Sequence, residues 1–264
     1  MTSPVRAPSR ESPAAAAEER WLKVFHPRRL AKLRLFCFPY AGGGAAVYRS
    51  WHAGLPELVE LAAVQPPGRE SRFREEPFRR IEPMADAATD ALAGHLDRPF
   101  AFFGHSLGAI LAFEVVRRLR RRGLPQPRHL FVSGRPAPRV ESTDPPIHDL
   151  PREEFIEAVR RYSGTPEEVL QNRELMELIE PLLRADFSAS ETYRYEPDAE
   201  PLDLPLTALG GIEDAEVPPG HLAPWREETR GRFQERLLPG GHFFLNERQD
   251  EVVELVAREL QRYL

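Results

Sequence analysis

The fold is decided by residues 99–115, PFAFFGHSLGAILAFEV. The apolar run PFAFF is typical of a strand buried on both faces of a parallel sheet, and apolar residues at helical spacing follow it. Between them, residues 104–108 have the form G-x-S-x-G. The two glycines allow a tight strand-to-helix turn, which leaves Ser106 projecting at the start of a helix. This context predicts a catalytic serine rather than an ordinary glycine-rich turn with a capping serine.

Strands and helices are predicted to alternate along most of the chain. Strand-like runs, each closed near a glycine or proline, also begin at Leu33, Glu60, Arg128, Leu204 and Arg232. Helical patterns cover residues 83–96, 107–122 and 250–264. This alternation predicts an α/β fold with a mostly parallel sheet flanked by helices.

The segment 151–195 breaks the alternation, because helical patterns follow one another there without a clear strand. We therefore expect an inserted helical lid over residues 140–201. We expect the α/β core to comprise residues 21–139 and 202–264, and residues 1–20, rich in proline, serine and alanine, to form a flexible leader.

Composition excludes several classes of function. The chain has 264 residues and a net charge of −5, which does not favour binding to nucleic acid or anionic lipid. No apolar stretch is long enough for a membrane span, no secretory signal is present, and the single Cys37 lies in an apolar run. We expect a cytoplasmic enzyme with a buried cysteine. The arginine-rich run 117–122 is interpreted as a solvated helix face.

A catalytic serine needs a base and a carboxylate that orients the base. In this fold the chain order is serine, acid, histidine. His242 is the preferred base, because LLPGGHFFL places it in a glycine-rich loop between a predicted strand and the last helix. His148 and His221 also follow the serine but are less well placed.

Asp214 is the preferred acid, because it lies in the loop that follows the predicted strand 204–209. Its neighbour Glu213 is the rival. The three other aspartates considered are interpreted as surface charges in or beside the lid: Asp186, Asp198 and Asp203.

The oxyanion of a tetrahedral intermediate needs backbone N–H donors. One is expected from Leu107, the residue after the nucleophile. The second is expected from the loop PYAGGG at residues 39–44, where Ala41 is preferred and Tyr40 or Gly42 remain possible. No metal-ligand spacing and no dinucleotide glycine pattern was found, so no metal and no cofactor are expected.

Together, the segments FCFPYAGGGAAVYRSW, VQPPGRESRFREEP, FFGHSLGAILAFEV, FVSGRPAP, TALGGIEDAEVP and LPGGHFFL resemble type II thioesterases of polyketide and nonribosomal peptide biosynthesis. The resemblance covers about residues 33–264. It implies a free-standing α/β-hydrolase that removes aberrant or stalled acyl groups from the phosphopantetheine arm of carrier proteins. It also implies the catalytic set Ser106, Asp214 and His242, oxyanion donors Ala41 and Leu107, and a mobile lid over residues 140–201.

The resemblance further implies that acyl or peptidyl carrier protein domains are the partners and that the phosphopantetheine belongs to the substrate. We expect a monomer. Carrier proteins are commonly acidic, so Arg69, Arg72 or Arg74 are expected either to dock the carrier or to serve only as surface or internal ion-pair residues.

Three alternatives remain open from the sequence. A carboxylesterase or peptidase acting on a small substrate has the same catalytic set. An acyltransferase forms the same acyl-enzyme but passes the acyl group to an alcohol or amine. A non-catalytic binding protein is disfavoured, because it has no reason to keep all three catalytic residues.

Overall fold

One sheet organises the computed structural model, which describes residues 20–140, 144–162, 164–197 and 200–264. All of its strands but the first coincide with the predicted apolar runs. In chain order they are β1 (Leu22–Lys23), β2 (Leu33–Phe38), β3 (Val59–Val64), β4 (Phe100–His105), β5 (Leu130–Ser133), β6 (Leu206–Gly211) and β7 (Phe233–Leu238).

The strand order across the sheet is β1-β3-β2-β4-β5-β6-β7. Every neighbouring pair is parallel except β1 with β3. The chain moves from β2 to β3 on one side and then returns to place β4 on the other side. The loops that follow β2 and β4 therefore diverge at a topological switch point, where α/β sheets bind their ligands.

Helices flank the sheet and form the segment between β5 and β6. They are α1 (Ile81–Ala93), α2 (Leu107–Arg121), α3 (Arg152–Arg161), α4 (Glu167–Leu170), α5 (Arg173–Glu191), α6 (Phe244–Glu247) and α7 (Gln249–Leu260). Short 3₁₀ turns include Ala45–Tyr48, Glu70–Arg72 and Ala223–Glu228. The α/β prediction is confirmed, and the predicted helices agree with α1, α2 and α7 to within a few residues at each end.

Two hydrophobic layers cover the two faces of the sheet. Alternate residues of one strand point to opposite faces, so Phe102 packs in one layer and Phe103 in the other. The same alternation separates Phe36 from Cys37 on β2. Cys37 is fully buried, as expected, and burial raises the pKa of its thiol. The sheet is thus packed on both faces and supports the loops at the carboxyl ends of its strands.

The helices α3, α4 and α5 form the predicted lid region and have a small hydrophobic cluster of their own, which includes Phe155 and Met176. Within the described residues no strand interrupts them between β5 and β6. The predicted leader falls almost entirely on residues 1–19, outside the described part of the chain. Among the helices that the structure describes, none has the length and apolar character to cross a membrane.

The interpretation of run 117–122 as a solvated face is wrong for its first members. Arg117 and Arg118 are buried, and both bind Glu114 on the preceding turn of α2, at 2.5 and 2.6 Å. Residues three and four apart share one face of a helix, so both guanidinium groups reach Glu114, and Arg118 also pairs with Asp86 at 2.6 Å. Arg121 and Arg122 are exposed, as expected.

Candidate active site

Ser106 stands at the turn between β4 and α2, with backbone angles φ 52° and ψ −115°. Positive φ is rare for a residue with a side chain and marks a strained position. The turn is held by the Ser106 N–H, which donates to the Ser133 carbonyl at 2.8 Å. A Cβ on Gly104 or Gly108 would lie 2.1 Å from a backbone oxygen, so both positions require glycine. The predicted elbow is therefore present.

The two predicted oxyanion donors lie at the starts of neighbouring loops. The Leu107 N–H opens helix α2, where it has no intrahelical acceptor. Ala41 follows β2 in a turn closed by the Gly43 N–H, which donates to the Tyr40 carbonyl at 2.9 Å. Gly42 has φ 75°, the positive value that a type II turn requires at its third position. Neither Leu107 N–H nor Ala41 N–H has a hydrogen-bond acceptor among the described residues.

Asp214 and His242 are brought together by the loops after β6 and β7. Asp214 Oδ2 lies 2.9 Å from His242 Nδ1. Asp214 Oδ1 accepts from the N–H groups of Glu216 and Val217, so the carboxylate is fixed in place. Because an ionised carboxylate only accepts hydrogen bonds, Nδ1 of the imidazole carries the proton and Nε2 is free to act as a base.

Glycines hold these two loops against each other. A Cβ on Gly211 would lie 2.4 Å from the Gly240 carbonyl oxygen, and that carbonyl accepts from the Glu213 N–H. The rival acid Glu213 is exposed, and its carboxylate accepts from the Gly240 N–H instead of meeting His242. Of the two neighbouring carboxylates, only that of Asp214 meets the imidazole.

His105 joins the elbow to the histidine loop. Its ring centroid lies 5.2 Å from that of His242, and its Nδ1 is 2.9 Å from Ser133 Oγ. Burial, and then the charge of a protonated His242, lowers its pKa well below the usual value. His105 is thus a neutral, buried support immediately before Ser106.

The lid region touches the histidine loop directly. The Tyr162 ring at the end of α3 lies 6.3 Å from the His242 ring. Its hydroxyl faces Glu216, and burial together with that carboxylate raises the pKa of Tyr162. A Cβ on Gly164 would meet the Phe243 ring at 2.2 Å. These contacts place the end of α3 over the histidine loop.

The lid region also touches the segment after β3, through a residue that was predicted to be a surface charge. Asp186, on α5, has no exposed side-chain surface and pairs with Arg69 through two hydrogen bonds of 2.9 Å. Its interpretation as a surface charge is therefore wrong. Asp203 is exposed, as expected, and Asp198 lies outside the described residues.

The expectation that arginines of the segment after β3 dock a carrier is wrong for two of the three. Arg69 is buried against Asp186, and Arg72 is buried against Glu75 and the Gln65 carbonyl. Both are internal ion-pair residues, which was the stated alternative. Arg74 is exposed.

Asp186 had a signal in the sequence that was not used. It follows Leu182 and Leu183 by four and three positions, so it falls on the apolar stripe of α5. A carboxylate on such a stripe needs a buried cationic partner. Arg69 lies 117 positions away along the chain.

A serine with positive φ after a central parallel strand, and an Asp–His pair on two loops at the carboxyl ends of neighbouring strands, are typical of the α/β-hydrolase fold class. Comparison with known proteins narrows this class. A family model described as a thioesterase domain matches residues 33–260. The gramicidin S biosynthesis protein GrsT of Aneurinibacillus migulanus is 41% identical over 245 residues, which cover 93% of this chain and 95% of that protein.

Solved structures agree with the family match. RedJ, a thioesterase from the prodiginine biosynthetic pathway of Streptomyces coelicolor, is 40% identical with a TM-score of 0.82, covering 98% of this chain and 91% of that chain. YbtT, a type II thioesterase from the yersiniabactin NRPS/PKS biosynthetic pathway, is 33% identical with a TM-score of 0.81, covering 90% and 97%. The chain belongs to the thioesterase family and is a hydrolase that acts on thioesters.

Proposed function

We propose that this thioesterase cleaves acyl groups from carrier-bound phosphopantetheine through Ser106, His242 and Asp214. The observation that carries the proposal is the 2.9 Å contact between Asp214 Oδ2 and His242 Nδ1 at the same sheet edge as the strained Ser106. That contact fixes the imidazole tautomer, and the turn presents the serine hydroxyl. A serine positioned in this way attacks an acyl carbon once a base removes its proton.

In the first half-reaction, Ser106 Oγ bonds to the thioester carbonyl carbon while His242 Nε2 takes the hydroxyl proton. The carbonyl electrons move to oxygen, and the N–H groups of Ala41 and Leu107 stabilise the resulting oxyanion. When the intermediate collapses, the carbon–sulfur bond breaks, and His242 returns the proton to the departing thiol. The product of this step is an ester on Ser106.

In the second half-reaction, His242 takes a proton from water as the water oxygen attacks the ester carbonyl. The intermediate collapses, the proton passes to Ser106 Oγ, and the free acid leaves. Asp214 stays ionised and stabilises the imidazolium formed in both halves. Ser106, His242 and Asp214 account for every proton transfer, so we propose that no cofactor takes part and that phosphopantetheine belongs to the substrate.

The proposed partners are acyl or peptidyl carrier protein domains in the cytoplasm. Support comes from relatives whose names refer to gramicidin S, prodiginine and NRPS/PKS pathways. A thiol leaves more readily than an alkoxide or amine, so the site needs little acyl specificity, and removal of stalled acyl groups suits such a site. The exposed Arg74 is the remaining arginine of its segment proposed to contact an acidic carrier.

The test compares release of a short acyl group from a phosphopantetheinylated carrier protein, from a free pantetheine thioester and from a simple ester. Wild type and Ser106→Ala are measured side by side. We expect the highest kcat/KM on the carrier thioester and no measurable turnover by the variant. A preference for the simple ester by orders of magnitude indicates a carboxylesterase, and release only when an alcohol or amine is added indicates an acyltransferase. Either result overturns the proposed substrate.

A further inference from the structure

The buried carboxylate of Asp186 has more contacts than its ion pair with Arg69. Its Oδ2 atom also accepts the Gly42 N–H at 2.7 Å. Arg69 Nη1 in turn donates to the Gly43 carbonyl at 3.0 Å. The pair thus holds one backbone N–H and one backbone carbonyl of the loop that carries Ala41, although Asp186 belongs to α5 and Arg69 to the segment after β3.

The two peptides that flank Ala41 each take part in one of the hydrogen bonds of this loop. The Ala41 N–H belongs to the same peptide as the Tyr40 carbonyl, which accepts from the Gly43 N–H. The next peptide donates its N–H, that of Gly42, to Asp186. The peptides on either side of Ala41 are therefore fixed, while the Ala41 N–H itself has no acceptor among the described residues. This is the arrangement that a preorganised oxyanion donor requires.

Packing reinforces the same contact. A Cβ on Gly42 would lie 2.6 Å from Leu183 Cδ2, so α5 rests directly on the loop. A larger residue at position 42 would force the helix and the loop apart. Gly42 therefore serves both the positive φ of the turn and the close approach of α5.

We propose that Asp186 is a positioning residue, which aligns the Ala41 N–H for the oxyanion by accepting the Gly42 N–H. Arg69 holds the carboxylate in place and neutralises it. Because Asp186 lies on α5, the alignment depends on that helix resting on the loop, and displacement of the helix removes the acceptor. The inference rests on the proposed catalytic role of Ser106 and its oxyanion donors.

The test uses a p-nitrophenyl ester, which needs the nucleophile and the oxyanion donors but no carrier. In Asp186→Ala we expect kcat to fall about 10- to 100-fold, because the donor is misplaced rather than removed. KM stays within about twofold, and inhibition by an alkyl trifluoromethyl ketone, whose serine adduct carries an oxyanion, weakens by a similar factor. Asp186→Asn keeps an acceptor for Gly42 and is expected to fall between wild type and Asp186→Ala.

Two further variants separate positioning from stability. Arg69→Met combined with Asp186→Leu removes the acceptor without leaving an unpaired buried charge, and it is expected to lose kcat while keeping a Tm near wild type. Glu60→Gln breaks a buried ion pair with Arg34 at the opposite end of the sheet and is expected to keep kcat. If Asp186→Ala fails to fold, the double variant Arg69→Met with Asp186→Leu still tests the role of Asp186.

A kcat within about threefold of wild type in the double variant would overturn the inference. So would an equal loss of kcat in Glu60→Gln, or a change confined to KM. Ser106→Ala on the same ester tests the proposed nucleophile separately, and the carrier assay tests the proposed substrate. Failure on carrier thioesters with normal ester hydrolysis would therefore count against the substrate and not against the role of Asp186.

Discussion

Arg34 pairs with Glu60 at the amino end of the sheet, and Arg69 pairs with Asp186 near its carboxyl end. Both pairs are largely buried, and both have nitrogen–oxygen distances of 2.9 Å. Their surroundings differ. The first pair joins the starts of the adjacent strands β2 and β3, whereas the second joins helix α5 to the loop that carries Ala41.

The difference shows that the role of a buried ion pair depends on which other groups its side chains hydrogen-bond. Glu60 also accepts the Arg28 N–H, and Arg34 also donates to the His95 carbonyl, so this pair connects loops that have no part in the site. Asp186 accepts an N–H one residue from a proposed oxyanion donor. Changes at the carboxyl end should therefore alter turnover, and changes at the amino end should alter stability.

The largest expected effect at the carboxyl end is loss of the nucleophile. Ser106→Ala should lower kcat for thioester hydrolysis by about 10⁴-fold or more, measured on a pantetheine thioester. The matched variant Ser106→Gly should be equally inactive but more stable than Ser106→Ala by about 1 kcal/mol, because glycine relieves the positive φ. A variant with more than a tenth of wild-type turnover would contradict the assignment.

The acid comes next. Asp214→Asn should lower kcat by about 10³- to 10⁴-fold, because the amide can hold the wrong imidazole tautomer. Glu213→Gln is the matched control one residue away and should stay within about threefold. Steady-state kinetics on the same thioester decides between them. Equal losses in the two variants would contradict the choice of Asp214.

His129, just before β5 at the amino end, should affect stability through pH. Burial lowers its pKa to about 4, whereas an unfolded histidine titrates near about 6.5. Between these values the unfolded state binds the proton, so stability falls as pH decreases from about 6.5 to about 4. The full difference corresponds to about 3 kcal/mol.

His129→Gln should reduce the loss of folding stability as the pH falls, without changing kcat near neutral pH. Urea unfolding at several pH values between about 4 and 7 measures the slope of the free energy of unfolding against pH. The exposed His221, changed to glutamine in the same way, is the control. An unchanged slope in His129→Gln would contradict the buried, neutral state of this residue.

The smallest effect is expected at the Arg34–Glu60 pair. Glu60→Gln should cost about 2 kcal/mol in free energy of unfolding, since Arg34 keeps its contacts with Asp97 and the His95 carbonyl. Turnover should remain within twofold. A selective loss of turnover with unchanged stability would remove the distinction between the two ends of the sheet.

The sequence was most informative where local chemistry dictates structure. Six strands could be predicted from apolar runs closed by glycine or proline, and the elbow from glycines that leave no room for a Cβ. Asp214 and His242 could be chosen because chain order and loop position are fixed in this fold, and the structure brings their side chains together. Strand β1 was missed because two residues carry no periodicity.

Buried ion pairs could not be predicted from the sequence in the same way. Asp186 was misinterpreted because its partner lies 117 positions away, and charge alone suggests an exposed residue. Arg117 and Arg118 were misinterpreted although Glu114 lies on the same helix face, a local signal that the charge run concealed. A hydrophobic pattern can indicate that a charged residue is buried, as on α5, but the tertiary fold decides which distant residue pairs with it.

The most direct test of the catalytic account is a rapid-quench single turnover of an acyl-loaded carrier protein, followed by mass mapping of the peptides of the enzyme. We expect the acyl mass to appear on the peptide containing Ser106, to rise, and then to fall as free acid forms. Ser106→Ala should show no acyl mass and no acid. Formation of free acid by wild type with no acylated peptide at any time, or with the acyl mass on another residue, would contradict it.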